Sequence, residues 1–429
     1  MNSTTVKLEK FVPGGQAMGT LPDGRKVFVW GGLPGETVEV EITKSKKSYA
    51  EAIAMTVIEK SPHRVEPLDG CYLSTSPWQT MDYEYELEQK AELAAEAFQQ
   101  EGIGLRGDRF GTIRSYDEDL TTSPVTTGAR SVSRNDYPQT DSRQYFYRNK
   151  MEYSLYWDND DNLIKLAFHK RGSHQKIPAT QSSIERPEIF AEAKRIIDGL
   201  NARGEQARKY QSLLVRCNQN GEVSSALFEN GKPHPVMKNL TDNLLGRKYS
   251  YSPNGFFQIN LPAYEMALRE IANCIDSEKV IDMYAGVGTI GLSVATDRDL
   301  ILVETNASAF QELERNIPVG ATNIQAVCSK SEDALDYIAS DATVIVDPPR
   351  AGLDQKLIDK LSEVQPRKII YLSCNPTTQA RDVAKLTACG HPGPDPGFNK
   401  MPYKITKDVA FNFFPRTPHI EHLVVLEAK

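Results

Sequence analysis

The strongest constraint on the fold is an alternation of short apolar runs with amphipathic segments that begins at Pro262. Each apolar run has the length of a strand, and the segments between the runs have the period of a helix. Alternating βα units of this kind build a parallel, doubly wound sheet whose ligands lie beyond the carboxyl ends of its strands. We therefore predict a Rossmann-like α/β domain over residues 251–429. The predicted strands are 279–282, 300–303, one between 303 and 343, 343–346 and 368–372, with helices before, between and after them (among them 262–274, 355–363 and 377–386) and a closing antiparallel pair at 403–414 and 422–426.

The first 250 residues do not have this alternation. Residues 1–61 alternate apolar and polar positions between glycine- and proline-containing turns, which predicts a small OB-like β-barrel. We assign 62–250 to a mixed α+β central domain, whose helix at 83–101 is expected to pack on the C-terminal domain. The remaining predicted elements are strands in 145–177, a helix at 184–200 and a hairpin at 212–217 and 223–228, while 106–142 is polar and has no convincing period.

Composition narrows the class of protein. A chain of 429 residues exceeds what one core organises, and none of its apolar runs approaches the roughly 18 residues that a membrane span requires. The first ten residues lack the apolar core of a signal peptide, so we expect a cytoplasmic protein. We also expect the protein to be a monomer. The six cysteines have neither paired nor short metal-type spacing, which argues against a disulfide framework and a zinc site.

The net charge of −7 is unusual for a nucleic-acid enzyme, because phosphate contacts depend on lysine and arginine. Basic residues are nevertheless clustered at 44–47 and 143–150. Taken alone, either cluster is typical of a solvated surface.

A glycine-rich turn follows the first strand of the predicted sheet. Residues 280–291 read V-I-D-M-Y-A-G-V-G-T-I-G, and their D-x-x-x-G-x-G spacing differs from the G-x-G-x-x-G of dinucleotide binders. Glycines let a backbone approach a ligand closely, and Glu304, at the end of the next strand, is placed to accept hydrogen bonds from ribose hydroxyls. The spacing favours a methionine-bearing nucleoside over NAD. A tight turn without a ligand is the plain alternative, and Glu304 alone does not choose the cofactor.

Two further groups are predicted at the same edge of the sheet. Asp347 ends an apolar strand and is followed by two prolines, which fix the backbone. One βα unit later, Cys374 follows the next strand and precedes a helix, whose amides are expected to lower the pKa of its thiol. Read alone, Asp347 is a strand terminator and Cys374 is a small core residue. Their shared edge favours a chemical role for both.

Cysteine, aspartate and a third group, Glu421, suit the chemistry of uracil. Carbon 5 of uracil is a poor nucleophile until a thiolate adds at carbon 6, and a base must then remove the carbon 5 proton. Glu421 is the candidate base, because burial would raise its pKa usefully. His419 is a weaker candidate, since a histidine there packs or caps equally well.

Five segments together resemble the RNA uracil-C5 methyltransferases that act on transfer RNA or 23S ribosomal RNA, and 1–61 resembles the RNA-binding TRAM domain that these enzymes often carry. The segments are 254–260 (NGFFQIN), 283–291, 347–353 (DPPRAGL), 371–376 (YLSCNP) and 414–421. The resemblance covers nearly the whole chain and is strongest after residue 250.

The resemblance implies the roles of individual residues. Cys374 would be the nucleophile and Glu421 the base. S-adenosyl-L-methionine would be bound by four residues, which are Gln258, Tyr284, Glu304 and Asp347. The segment Tyr147-Arg148-Asn149-Lys150 would belong to the RNA-contacting central domain. This favours a role in RNA binding for that basic cluster over a merely solvated surface.

The sequence departs from the resemblance at one group of positions. Many members of the family bind a 4Fe-4S cluster through four cysteine thiolates. Here Leu73 and Ser76 stand where two of those cysteines would be, Ser182 occupies the place of the fourth, and only Cys71 remains nearby. One thiolate cannot hold the cluster, so we expect no iron–sulfur centre.

Three alternatives remain open. The substrate is expected to be 23S ribosomal RNA, but related transfer-RNA enzymes also carry a TRAM domain. The Asp347-Pro348-Pro349-Arg350 loop is also typical of amino-group methyltransferases, which need no thiol. A non-catalytic RNA-binding protein would bind RNA without S-adenosyl-L-methionine.

Overall fold

The computed structural model describes residues 4–105, 144–388 and 403–429. The polar stretch 106–142 lies outside these described residues. Contacts divide the chain into two compact units, and the described residues of the first lie in 4–93, 144–238 and 414–419. Those of the second lie in 94–105, 239–388, 403–413 and 420–429. In these ranges, no helix combines the length and the apolar character that crossing a membrane requires. The division into three domains, predicted above at 1–61, 62–250 and 251–429, stays a prediction.

The first unit opens with five strands that close into a barrel in the order β1-β2-β3-β5-β4. Alternate side chains point inward along each strand, as Val6 and Leu8 do in β1 and Val27 and Val29 do in β3, and together they fill the barrel. The predicted small barrel is therefore confirmed. The strands are β1 Thr4–Phe11, β2 Ala17–Thr20, β3 Lys26–Trp30, β4 Thr37–Ser45 and β5 Tyr49–Glu59.

The rest of the first unit is a six-stranded sheet with a helix packed on it. The strand order is β11-β10-β9-β6-β7-β8, and α3 contributes buried Ile189 and Ile197 to the core. The helix begins at Pro187 and not at the predicted Ile184, because proline suits the first helical position and disfavours a helical residue before it. The elements are α1 Tyr72–Thr75, α2 Tyr83–Gln100 (its last turns in the second unit), β6 Lys150–Asp158, β7 Leu163–His169, β8 Lys176–Pro178, α3 Pro187–Ala202, β9 Ser212–Cys217, β10 Val223–Glu229 and β11 Lys232–His234.

The segment 414–419 belongs to the first unit and is fixed by a buried ion cluster. Glu86 accepts hydrogen bonds from the backbone N–H of Arg416 at 3.0 and 3.1 Å, and Lys90 donates to Glu86 at 2.8 Å. Lys90 also donates to the carbonyl of Phe414 at 3.1 Å. Because Glu86 and Lys90 are fully buried, each charge depends on its partner. The residue two positions after this segment is Glu421.

The second unit begins with a hairpin and continues as the predicted alternation of helices and strands. Its elements are β12 Leu240–Leu244, β13 Arg247–Tyr251, α4 Leu261–Ala272, β14 Lys279–Asp282, α5 Thr289–Val294, β15 Asp299–Glu304, α6 Ala307–Asn316, β16 Ile324–Cys328, β17 Thr343–Val346, α7 Gln355–Val364, β18 Lys368–Ser373, α8 Pro376–Thr387, β19 Tyr403–Phe411 and β20 Glu421–Ala428. The predicted α/β fold is confirmed.

Seven strands form the sheet of the second unit in the order β16-β15-β14-β17-β18-β20-β19. The first five are parallel, and β20 runs antiparallel to β18 with Ser373 opposite His422. The strands β14, β17 and β18 therefore end at the edge where β20 begins. One antiparallel strand thus brings its first residue, Glu421, to the edge where ligands bind in parallel sheets.

The helix predicted before the strand 343–346 does not form. Between β16 and β17 the structure has two short 3-10 turns, Ser331–Asp333 and Leu335–Tyr337. Serine and aspartate compete with helical backbone hydrogen bonds through their own side chains, which favours turns over a continuous helix here.

Candidate active site

Asp282 ends β14 and closes the glycine-rich turn. Its carboxylate accepts hydrogen bonds from the N–H of Gly291 at 3.0 Å and of Tyr284 at 3.3 Å. Gly288 has φ +91°, and a Cβ there would lie 2.6 Å from the side chains of Leu292 and Leu313. The turn therefore requires glycine, and the buried carboxylate fixes its shape. Burial raises the pKa of Asp282 to about 7.

Glu304 ends β15 and faces the same turn. One carboxylate oxygen accepts the N–H of Gly286 at 2.8 Å, and the other accepts the N–H of Asn306 at 2.5 Å. Each carboxylate oxygen has a second lone pair, so Glu304 remains able to accept from ribose hydroxyls. The hydrogen bonds fix the direction in which it accepts.

Tyr284 lies half-buried in the glycine-rich turn. Burial raises the pKa of its hydroxyl to about 12, and that hydroxyl bonds to the side chain of Ser331. The phenol is therefore neutral and its ring is held in place, which suits packing against a ligand.

Gln258 reaches the second unit's surface from the segment before α4. Asn260 caps α4 and donates to the carbonyl of Phe413 at 3.0 Å, while Phe257 stacks on Tyr251 with ring centroids 3.8 Å apart. These contacts anchor the segment on both sides of the half-buried Gln258. The neighbouring Phe256 is 79% exposed.

Asp347 follows β17 directly and is half-buried. Burial and the nearby charge of Asp282 raise its pKa to about 7. Within the described part of the chain, its carboxylate accepts no hydrogen bond. A carboxylate held at a strand end with its oxygens unused is suited to a positively charged or hydrogen-bond-donating ligand.

Cys374 and Glu421 are close neighbours because of the antiparallel pairing. Cys374 follows Ser373, and Glu421 precedes His422, the residue opposite Ser373. Glu421 is only 5% exposed. Its pKa is raised well above that of an ordinary glutamate, first by burial and then by Asp347. The burial expected for the candidate base is therefore present.

The pKa expected for Cys374 is wrong in direction. The structure raises it to about 11, because burial and the charges of Glu421 and Asp347 outweigh Arg350. The helix after Cys374 does not reverse this balance. Arg350 forms a side-chain hydrogen bond to the thiol and lowers the pKa of both Cys374 and Glu421.

Arg350 was not singled out from the sequence, although it stands in the noted Asp-Pro-Pro-Arg loop. Helix α8 and its N-cap residue fix this loop. The backbone carbonyl of Arg350 accepts hydrogen bonds from the side chains of Asn375 at 2.9 Å and Thr378 at 3.1 Å. Asp382, fully buried in α8, accepts the N–H of Leu353 at 2.8 Å. The helix that follows the cysteine thus also holds the loop that follows the aspartate.

The positions at which an iron–sulfur cluster would be bound do not fit that group. Burial and Asp69 raise the pKa of Cys71 to about 12, so its thiol stays protonated and donates to Asp69 at 3.4 Å. Gln79 donates to Asp69 at 2.9 Å and to Ser76 at 2.5 Å. The hydroxyl of Ser182 is buried without a partner among the described residues. Oxygen atoms and one protonated thiol replace the thiolates that a cluster requires.

Comparison with known proteins shows what the two ends of the chain are similar to. Residues 238–429 match the model of the tRNA (uracil-5-)-methyltransferase family, and 3–55 match that of the TRAM domain. The region 238–429 is therefore similar to the tRNA (uracil-5-)-methyltransferase family. All six candidate site residues of the methyltransferase lie within this matched region, and the TRAM match lies in the barrel.

Relatives extend the likeness over the whole methyltransferase. An uncharacterized RNA methyltransferase of Treponema denticola is 28% identical, covering 99% of this chain and 98% of its own. One of Bacillus cereus is 27% identical, covering 94% and 92%. The fold resembles that of the Pyrococcus abyssi tRNA (uracil-54, C5)-methyltransferase solved with S-adenosyl-L-homocysteine. That structure has a TM-score of 0.70 at 20% identity and covers 98% of this chain and 99% of its own.

Replacing Asp347 by asparagine is expected to stabilise the protein at alkaline pH. A carboxyl whose pKa rises from 3.8 to about 7 on folding destabilises the folded state increasingly as pH rises through that interval. The gain for Asp347→Asn should be roughly 1–3 kcal/mol at pH 8 and should vanish towards pH 4. Urea unfolding followed by circular dichroism at both pH values measures it. Asp341→Asn, an exposed site on the loop before β17, is the control, and an equal gain at both pH values would contradict the electrostatic origin.

Iron and acid-labile sulfide analysis of anaerobically purified protein is expected to find less than one iron per chain. The protonated Cys71 and the oxygen atoms around it offer no set of four thiolates. A content close to four irons per chain would contradict this.

Proposed function

We propose that the protein methylates carbon 5 of a uridine in RNA, with S-adenosyl-L-methionine as the methyl donor. The observation that supports this most strongly is the grouping of Cys374, Glu421 and Asp347 at one edge of the sheet, linked through Arg350. A nucleophilic thiol and a buried carboxylate side by side are what C5 methylation of uracil requires.

The glycine-rich turn and its neighbours would hold the methyl donor. Glu304 would accept from the ribose hydroxyls, Tyr284 and Gln258 would pack around the nucleoside, and Asp347 would face the positively charged end. When bound, S-adenosyl-L-methionine supplies a methyl group on a sulfonium, which is a strong electrophile. The unused oxygens of Asp347 support this assignment.

Cys374 begins the reaction by adding to the uracil. The thiol releases its proton to the solvent, the sulfur forms a bond to carbon 6, and the electron pair of the C5–C6 double bond moves into the enolate, so that carbon 5 becomes nucleophilic. Carbon 5 would then take the methyl group, whose bond to the sulfonium sulfur breaks and leaves a neutral thioether. Because the pKa of Cys374 is about 11 in the free protein, Arg350 is the residue placed to stabilise the thiolate when it forms.

Glu421 completes the reaction. Its carboxylate removes the proton from carbon 5, the electron pair restores the C5–C6 double bond, and the thiolate leaves carbon 6. A carboxylate with a raised pKa is a stronger base than an exposed glutamate, which suits the weak acidity of this proton.

The features that indicate the RNA substrate are less specific than those that indicate the reaction. A TRAM barrel supplies RNA affinity, and the exposed Phe256 ring, two residues from Gln258, is suited to stacking on a base that has left its helix. The TRAM barrel favours 23S ribosomal RNA as the substrate. The similar Pyrococcus abyssi enzyme is named for transfer RNA, which makes transfer RNA the second candidate.

Deleting the gene is expected to remove 5-methyluridine from one position of 23S ribosomal RNA and to leave transfer RNA unchanged. Mass spectrometric mapping of 5-methyluridine in both RNAs, with and without complementation, measures this. Loss from transfer RNA alone would overturn the choice of RNA and leave the chemistry intact.

Cys374→Ala is expected to lower methyl transfer by on the order of 10⁴-fold or more, because it removes the nucleophile. Glu421→Gln is expected to add the methyl group but to release the RNA slowly, so that a methylated covalent complex accumulates. Denaturing gel electrophoresis with labelled RNA measures both effects. RNA with 5-fluorouridine at the target should trap the unaltered enzyme as well, because fluorine cannot leave as a cation.

Cys274→Ser is the matched control, since this half-buried cysteine lies after α4 and outside the proposed site. Methyl transfer retained by Cys374→Ala would instead favour an amino-group methyltransferase. RNA binding without methyl transfer by the unaltered protein would favour a non-catalytic role.

A further inference from the structure

A buried histidine stands directly after the proposed base. His422 is fully buried, and its ring meets that of Phe98 edge to face at 5.2 Å. Neighbouring residues of a strand point to opposite faces of the sheet, so His422 faces away from Glu421 and towards the core that holds Phe98 and Val424. The imidazole therefore does not take part in the chemistry directly.

Gln379 links this histidine to the segment that carries Cys374. The glutamine is fully buried in α8, five residues after the cysteine. Its amide nitrogen donates to the carbonyls of Tyr371 and His422, each at 2.9 Å. Its amide oxygen lies 2.7 Å from Nδ1 of His422. One side chain thus joins α8, β18 and β20.

The chemistry of the pair fixes the orientation of both side chains. Both amide hydrogens of Gln379 point at carbonyl oxygens, so a flipped amide would set oxygen against oxygen. The amide oxygen must then accept, which places the proton of the neutral imidazole on Nδ1. Burial lowers the pKa of His422 to about 3, so the ring stays neutral at physiological pH.

Gln379 and His422 lie at the end of the pairing between β18 and β20. The ladder between β18 and β20 ends at the pair Ser373 and His422. Cys374 lies just beyond that last pair, and Glu421 is paired on its other side with Phe411 of β19. The bonds of Gln379 reach across both strands at this point.

We propose that Gln379 and His422 are positioning residues that set the placement of Glu421 relative to Cys374. This inference rests on the proposed function, because it assigns the two groups their roles in nucleophilic addition and proton removal. Both side chains are fully buried, so the pair would contact neither uracil nor the methyl donor, and its loss would affect the step that depends most on the placement of Glu421. That step is removal of the carbon 5 proton.

The test compares His422→Leu with His422→Asn during turnover of uridine-containing RNA. The asparagine amide nitrogen takes the place of Nδ1 and can still donate to Gln379, whereas leucine cannot. We expect His422→Leu to lower kcat roughly 10- to 100-fold with KM unchanged, and to accumulate the methylated covalent complex. His422→Asn should restore most of the rate. Gel electrophoresis under denaturing conditions quantifies the complex, and 5-fluorouridine RNA titrates the number of competent sites.

A second variant guards against misfolding. Replacing both Gln379 and His422 by leucine removes the donor and the acceptor of their side-chain hydrogen bond together. The backbone carbonyls of Tyr371 and His422 then lose only the Gln379 amide. It should fold and still accumulate the covalent complex. A lower rate without accumulation, in proportion to the titrated sites, would overturn the proposal and assign the pair to stability alone.

Glu421→Gln separates this proposal from the proposed function. If that variant fails to accumulate the complex, the assignment of the base is wrong. If it accumulates the complex but neither leucine variant does, only the positioning role is wrong.

Discussion

Burial of several carboxylates at one edge of a sheet is the constraint on which the catalytic unit depends. Asp282, Asp347 and Glu421 all have raised pKa values, chiefly because of burial. The charge of Asp282 also raises the pKa of Asp347, and that of Asp347 raises the pKa of Glu421. The unit tolerates this because the strands behind them are fully buried and because Arg350 offsets part of the charge. The same exclusion of water makes Glu421 a stronger base and Cys374 a weaker acid.

Much of this architecture is predictable from local patterns. The strands before Asp282, Asp347 and Cys374 have apolar runs bounded by turn residues, and their carboxyl ends must meet in a parallel sheet. The helix expected before Thr343 is missing because its serine and aspartate residues stabilise turns as well as helix. The pKa of Cys374 was predicted in the wrong direction because it depends first on burial and then on the charge of Glu421, which is 47 positions away in the sequence.

The contacts that position the site are the least predictable part. Gln379 reads as one polar residue of an amphipathic helix, yet it is fully buried and bonds to two strands. His422 reads as part of an apolar strand. Their pairing joins residues 43 positions apart, and no spacing rule relates a helix residue to a strand residue at that distance. Periodicity therefore predicts the helices, the strands and the edge of the sheet at which ligands bind, whereas side-chain pairs between elements are seen only in the three-dimensional structure.

The hydrogen-bonded group around Asp69 in the first unit has a consequence for how the protein is made. Ser183 donates to Asp69 through both its backbone N–H and its hydroxyl, at 2.9 and 2.7 Å, and Gln79 joins the same carboxylate. These oxygen atoms stand where a cluster would require thiolates. We therefore expect maturation of this region to be independent of cluster-assembly proteins, and its contacts to be insensitive to oxygen.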